Sequence, residues 1–106
     1  MTVEWVYGES GSGKTTLARK LQKHSPNTVH LDGDDMRRVW TDLGHSDEDR
    51  VTQNLRVANL ARVLSRQGFN VVVSTICPTE ALRESVQQIT GCVFIHIEGE
   101  SDKKSW

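Results

Sequence analysis

A short glycine-rich segment near the N-terminus limits this chain more than any other feature. Gly8-Glu9-Ser10-Gly11-Ser12-Gly13-Lys14-Thr15 satisfies G-x-x-x-x-G-K-[ST] at every fixed position. Glycines in such a bend let the backbone turn its N–H groups around phosphate oxygens. A helix that starts in the bend points its positive end at the same anion. Lysine adds a mobile ammonium group for the β- and γ-phosphates, and the threonine hydroxyl can ligate Mg²⁺. The flanks agree: Val3 to Tyr7 is a β-prone run, and Lys14 to Lys23 carries Leu17, Ala18 and Leu21 on one helical face. With Gly at about 7% of residues, chance supplies this pattern in roughly a few chains per thousand of this length. A strand–helix turn that binds nothing is the alternative. The surrounding pattern favours a cradle for the phosphates of ATP or a close relative, formed by Gly8, Ser10, Gly11, Ser12, Gly13, Lys14, Thr15 and Thr16.

Such a loop belongs in an alternating α/β chain, and the remaining sequence alternates accordingly. Ser25-Pro26-Asn27 breaks the first helix, and Thr28 to Leu31 reads as a second strand. A short helical piece is expected from Met36 to about Leu43. Ser46 to Gln67 is the clearest helix: Ser46 and Asp49 resemble a capping box, Val51, Leu55, Ala58, Ala61 and Leu64 recur at helical spacing, and Gly68 supplies the stop. Asn70 to Ser74 is an almost continuous apolar run, as in a parallel strand covered on both faces. Pro78 can open the next helix, with Leu82, Val86 and Ile89 on its buried face, and Gly91 ends it. Val93 to Ile97 is the fourth strand, and a loose polar tail is expected from Glu98 to Trp106. The expected fold is one α/β domain over residues 1–106: a three-layer P-loop NTPase-type parallel sheet of about four strands with flanking helices.

Composition narrows the function. The 106 residues suit one compact core. Lys and Arg total 13 against 14 for Asp and Glu, so the basic excess of a dedicated nucleic-acid binder is missing. No apolar stretch approaches membrane-spanning length, and the N-terminus shows no export signal, so a cytoplasmic protein without nucleic-acid or membrane partners is expected. Cys77 and Cys92 stand apart without metal-ligand spacing and read as reduced thiols.

A second acidic group lies at Leu31-Asp32-Gly33-Asp34-Asp35-Met36-Arg37, where the second strand ends. In an open parallel sheet, ligands sit beyond the carboxyl ends of the strands, beside the phosphate loop. An Asp there can hold Mg²⁺ or orient the hydroxyl that attacks the γ-phosphate. An Asp-Gly turn with a helix cap is the structural alternative. Beside a phosphate cradle, Asp34 is favoured as functional.

Trp5-Val6-Tyr7 with the glycine-rich loop, Thr16 and Leu17 resembles the opening of adenylylsulfate kinases. Leu31-Asp32-Gly33-Asp34-Asp35-Met36-Arg37 is similar to that family's LDGDN followed by Arg, and Asp42-Leu43-Gly44-His45-Ser46-Asp47-Glu48-Asp49-Arg50 to its DLGFSxxDR. Val73-Ser74-Thr75-Ile76-Cys77-Pro78 stands where the family has a strand ending in S-x-I-S-P, and Arg83 follows at the familiar spacing. Order and spacing agree over roughly residues 3–97. The resemblance implies transfer of the γ-phosphoryl group of MgATP to the 3′-hydroxyl of adenylylsulfate or a similar small acceptor. It implies that Lys14 and Thr15 handle phosphates and magnesium, and that Asp34, with Asp32, positions the hydroxyl or the metal. Arg37 and Arg50 would grip the anionic acceptor, for which an arginine fork is suited. His45, Gln53 and Ile76 would complete the acceptor side. A solvated face or a helix ion pair is the alternative for the two arginines, and an exposed loop position for His45.

The pattern also departs from the family. His45 stands for a Phe that stacks on the acceptor's adenine, Gln53 for an Asn unless a shift of one residue brings Asn54 there, Cys77 for a Ser and Asp35 for an Asn. Cys77 can serve as a buried thiol acting as a small hydrophobe. The family continues past its fourth strand with a lid bearing Arg and Lys, a fifth strand and a loop against the ATP base, whereas few residues follow Ile97 here. Weakened transfer or wasteful ATP hydrolysis is therefore expected. Trp106 or Lys103-Lys104 can substitute only in part. Three functions stand in order: a minimal kinase, a catalytically weak or inactive nucleotide-binding module, and a scaffold whose exposed final strand pairs with a second copy as a homodimer.

Overall fold

The structure is a computed structural model that describes residues 1–98. The tail expectations, including Trp106 and Lys103-Lys104, lie outside the described residues apart from Glu98. The elements are β1 (Val3–Tyr7), α1 (Lys14–Lys23), β2 (Thr28–Asp32), α2 (Gly33–Val39), α3 (Asp47–Arg66), β3 (Asn70–Thr75), α4 (Glu80–Thr90) and β4 (Val93–His96). The strands form one four-stranded sheet in the order β2-β3-β1-β4, and every pairing is parallel. Parallel neighbours need crossover connections, and the intervening helices provide them.

Alternation along each strand sends side chains to two faces. Trp5, Val71 and Val73 face a cluster built with Val57, Ala58 and Ala61 of α3 and Leu82 and Val86 of α4. Val6 and Val72 face Ala18 of α1, with Leu17 and Leu21 packed alongside. The apolar run in β3 is therefore covered on both faces, as its composition requires. β4 is an edge strand, and Val93 is 63% exposed.

Several boundaries differ from expectation. α2 begins at Gly33 rather than Met36 and ends at Val39, because Asp32 caps it by accepting from the Asp34 amide at 3.1 Å. The cap replaces the expected strand-end turn with an immediate helix. Pro78 does not open α4: Thr79 is the N-cap, its hydroxyl accepting from the Leu82 amide at 3.1 Å. In α3 the buried stripe is Gln53, Asn54, Val57, Ala58 and Ala61, whereas Val51 is 41% exposed. The helix is rotated from the apolar stripe so that two amides reach the carboxyl end of the sheet. β2 and β3 each run one residue further than expected, and β4 stops one short of Ile97.

Candidate functional site

The phosphate loop joins β1 to α1. Gly11 (φ 80°) and Gly13 (φ 98°) occupy the left-handed region that favours glycine. Gly8 is needed for a different reason: a Cβ there would meet the Ile97 carbonyl oxygen at 2.5 Å and Ser12 Oγ at 2.8 Å. Gly13 caps α1 with no side-chain hydrogen bond, so the helix's positive end faces the loop. Lys14 Nζ donates to the Glu9 carbonyl at 2.9 Å and folds back over the loop.

A cavity of about 370 Å³ opens at this point. Its lining includes Ser10, Gly11, Gly13, Lys14, Thr15 and Thr16 from the loop and α1, and Asp32, Gly33, Asp34 and Arg37 from the β2–α2 corner. Arg50, Gln53 and Asn54 of α3 and Ser74, Thr75 and Ile76 of the β3 end complete it. The structure thus brings together most of the residues expected from sequence, including both Gln53 and Asn54. Gly8 and Ser12 do not line the cavity; Ser12 is buried, and its Oγ has no hydrogen-bond partner among the described residues. His45 also stays outside, exposed on the α2–α3 loop. That loop is held elsewhere, by Arg37 donating to the Gly44 carbonyl and by the Gly44 amide donating to Asp49 Oδ2 at 2.8 Å.

The charged centre is Asp32. Thr15 Oγ1 donates to its Oδ1 at 2.8 Å, Ser74 Oγ donates to the same oxygen at 2.6 Å, and the Asp34 amide donates to Oδ2. Burial by itself would raise this carboxyl's pKa, but the hydrogen bonds from Ser74, Thr15 and the Asp34 amide together hold it below its ordinary range. The hydroxyl partner of Thr15 is therefore Asp32, and Asp34 lines the same cavity beside it. Behind Ser74, His30 Nε2 lies 2.7 Å from its Oγ, and desolvation pulls the imidazole pKa down despite nearby Asp32.

A second buried network stands next to it. Trp5 Nε1 donates to Thr75 Oγ1 at 2.9 Å, Thr75 donates to Asn54 Oδ1 at 2.8 Å, and Asn54 Nδ2 donates to the Arg50 and Ile76 carbonyls. Two polar atoms on cavity-lining residues remain buried without a hydrogen-bond partner among the described residues: Arg50 Nε and Gln53 Oε1. Buried polar atoms of this kind ordinarily find a partner, and a ligand in the cavity would supply one. Sequence reasoning missed His30, Ser74 and Thr75 as members of the site. Ser74 and Thr75 stood in the sequence only as part of the run that ends β3. The tie of His30 and Ser74 to Asp32 is readable once the β2–β3 register is known, and Thr75 projects from the opposite face, where it meets Trp5 and Asn54.

The oxygen donors suit a hard cation. Thr15 Oγ1 and the Asp32 carboxylate are already adjacent, and Mg²⁺ prefers one or two carboxylates completed by substrate phosphates and water. Among the described residues, no group of three or more His, Cys, Asp or Glu forms a self-sufficient metal cage. Cys77 takes no part: it is 1% exposed, and burial pushes its thiol up to about 12.

Comparison with known proteins gives a consistent result. The family profile described as adenylylsulphate kinase matches residues 1–103. The chain is similar to the probable adenylyl-sulfate kinase of Archaeoglobus fulgidus, with 44% identity over 87 residues covering 77% of this chain and 56% of that one. In structure it is similar to the Mycobacterium tuberculosis APS kinase CysC in complex with AMPPNP and APS, with a TM-score of 0.74, 34% identity and coverage of 90% of this chain and 60% of that one. It is also similar to a hexameric APS kinase from Thiobacillus denitrificans, with a TM-score of 0.83, 27% identity and coverage of 92% and 22%. The chain spans about half the length of the curated adenylyl-sulfate kinases it matches.

Proposed function

Because the chain belongs to the adenylylsulphate kinase family, we propose that it transfers the γ-phosphoryl group of MgATP to the 3′-hydroxyl of adenylylsulfate. The observation that carries this reading is one continuous cavity shared by the phosphate loop, two aspartates and two arginines. A phosphoryl donor and an anionic acceptor need those groups side by side.

In this reading the loop amides and the α1 N-terminus bind the triphosphate. Lys14 leaves the Glu9 carbonyl and turns its ammonium group onto the β- and γ-phosphates, a small motion for a four-carbon stem. Thr15 and Asp32 hold Mg²⁺, which neutralises phosphate charge when bound. Arg37 and Arg50 grip the anionic part of the acceptor, and Gln53 Oε1 accepts a hydrogen bond from one of the acceptor's N–H or O–H groups. Asp34 orients the acceptor hydroxyl and takes its proton as the oxygen bonds to the γ-phosphorus. The bond from that phosphorus to the bridging oxygen breaks, and ADP leaves with the electron pair. Support comes from the two unpartnered atoms on cavity-lining residues, Arg50 Nε and Gln53 Oε1, and from the relative solved with AMPPNP and APS.

Label transfer from [γ-³²P]ATP tests the proposal. The full 106-residue chain should label adenylylsulfate, and Lys14→Ala should lower the rate by a factor of about 100 or more, as expected when a transition-state charge is removed. Asp34→Asn should lower the rate while leaving ATP affinity within about twofold. ATP bound tightly with no labelled acceptor at any enzyme concentration would favour a nucleotide-binding module over a kinase.

A further inference from the structure

His30 and Asp32 lie two residues apart on β2, so both side chains project from the same face, toward α1. Ser74 is the ladder partner of Asp32 on β3. The proton count in this trio leaves one arrangement. An ionised carboxylate only accepts hydrogen bonds, and Thr15 and Ser74 both donate to Asp32 Oδ1. The single hydroxyl proton of Ser74 is thereby committed. Its 2.7 Å contact with His30 must then be donated by the imidazole, so His30 carries a proton on Nε2. The chain of donors runs from His30 to Ser74 to Asp32, and Thr15 meets it at the same carboxylate oxygen.

We propose that His30 is a positioning residue of the phosphate–metal site, whose Nε2–H holds the Ser74 hydroxyl in the orientation that aligns Asp32 on Thr15. The inference rests on the reading of Thr15 and Asp32 as the groups that serve a magnesium–nucleotide. His30 does not line the cavity and acts only through Ser74. Without it, the Ser74 hydroxyl is free to rotate away, and the carboxylate loses the second of its two hydroxyl donors. The loop amides and Lys14, which bind phosphate without the metal, are untouched. The cost therefore falls on the magnesium-dependent part of nucleotide affinity.

Calorimetric titration of ATP in Mg²⁺ and in EDTA separates the two parts. His30→Leu should weaken ATP binding about tenfold in Mg²⁺, as loss of a residue that orients a metal ligand does elsewhere, and by less than about twofold in EDTA. His30→Gln keeps an N–H donor and should recover most of the loss. Ser74→Ala should reproduce the loss, and the double variant should add nothing further. In the unaltered protein, long-range ¹H–¹⁵N correlation of the His30 ring should show the proton on Nε2, a result that does not depend on any variant folding.

An Nδ1–H tautomer, an equal loss in Mg²⁺ and EDTA, or a Ser74→Ala protein with unaltered magnesium response would each overturn the inference. Unaltered protein whose ATP affinity ignores Mg²⁺ overturns the metal-site reading and this inference together. Unaltered protein that responds to Mg²⁺ while His30→Leu matches it overturns this inference alone.

Discussion

Asp32 gathers three donors on one carboxylate, and with His30 it makes the residue-level chemistry of the site sensitive to acid. His30 is shifted below its ordinary 6.5, chiefly by desolvation. Asp32 is shifted below 3.8, because its hydrogen bonds from Ser74, Thr15 and the Asp34 amide outweigh the desolvation that would raise it. In both cases the unfolded chain takes up a proton more readily than the folded one, so acid favours unfolding. The stability these groups contribute is complete above 6.5 and is lost as the pH falls, first through His30 and then, below 3.8, through Asp32. Melting temperature should drop between about pH 7 and pH 5, and His30→Gln, which cannot titrate, should flatten that part of the curve. A wild-type melting temperature that holds or rises over that range would contradict the lowering of the partly buried His30 imidazole's pKa by desolvation.

At the level of elements, the caps decide where helices begin and thereby where site residues point. Ser46 Oγ accepts from the Asp49 amide at 3.1 Å, and Asp47, Glu48 and Asp49 occupy the positive end of α3. The Asp49 carboxylate also ties down the Gly44 amide, so the start of α3 and the loop before it are fixed together. Arg50 follows directly, and its placement in the cavity depends on that cap. Ser46→Ala should cost about 1 kcal/mol in urea unfolding. An unchanged midpoint would mean that the first turn of α3 is held by packing rather than by its cap. At the other end of the sheet, Gly91 ends α4 in the left-handed region (φ 67°), the stop its sequence signalled.

At the scale of the molecule, one parallel sheet carries an apolar cluster on each face, and adjacent residues Trp5 and Val6 belong to different clusters. Neither cluster can lose its packing without disturbing the central strands that the other needs. Unfolding followed by near-ultraviolet circular dichroism, which reports buried Trp5, should coincide with unfolding followed by helix content. MgATP at about 100 times its Kd should raise the unfolding free energy by about 2.7 kcal/mol, since only the folded chain has the cradle. Separate transitions for the two probes would show that the faces melt independently.

The parts legible in sequence were those whose cause lies within a few residues. Gly8 to Thr15 bends because its own glycines permit it, α3 starts at Ser46 because its own hydroxyl caps it, and the extent of β1 and α1 follows from local periodicity. The acidic corner and the two arginines were legible as residues of a site, though their partners were not. Only the tertiary structure decided that Asp32 meets Ser74, 42 residues away, that His30 stands behind both, and that Gln53 and Asn54 turn inward where Val51 had been expected. Those choices come from the strand order β2-β3-β1-β4 and from the rotation of one helix against it. Pairing between distant strands leaves no periodic trace in either one, because each strand's pattern records which side is buried and not which neighbour lies beside it.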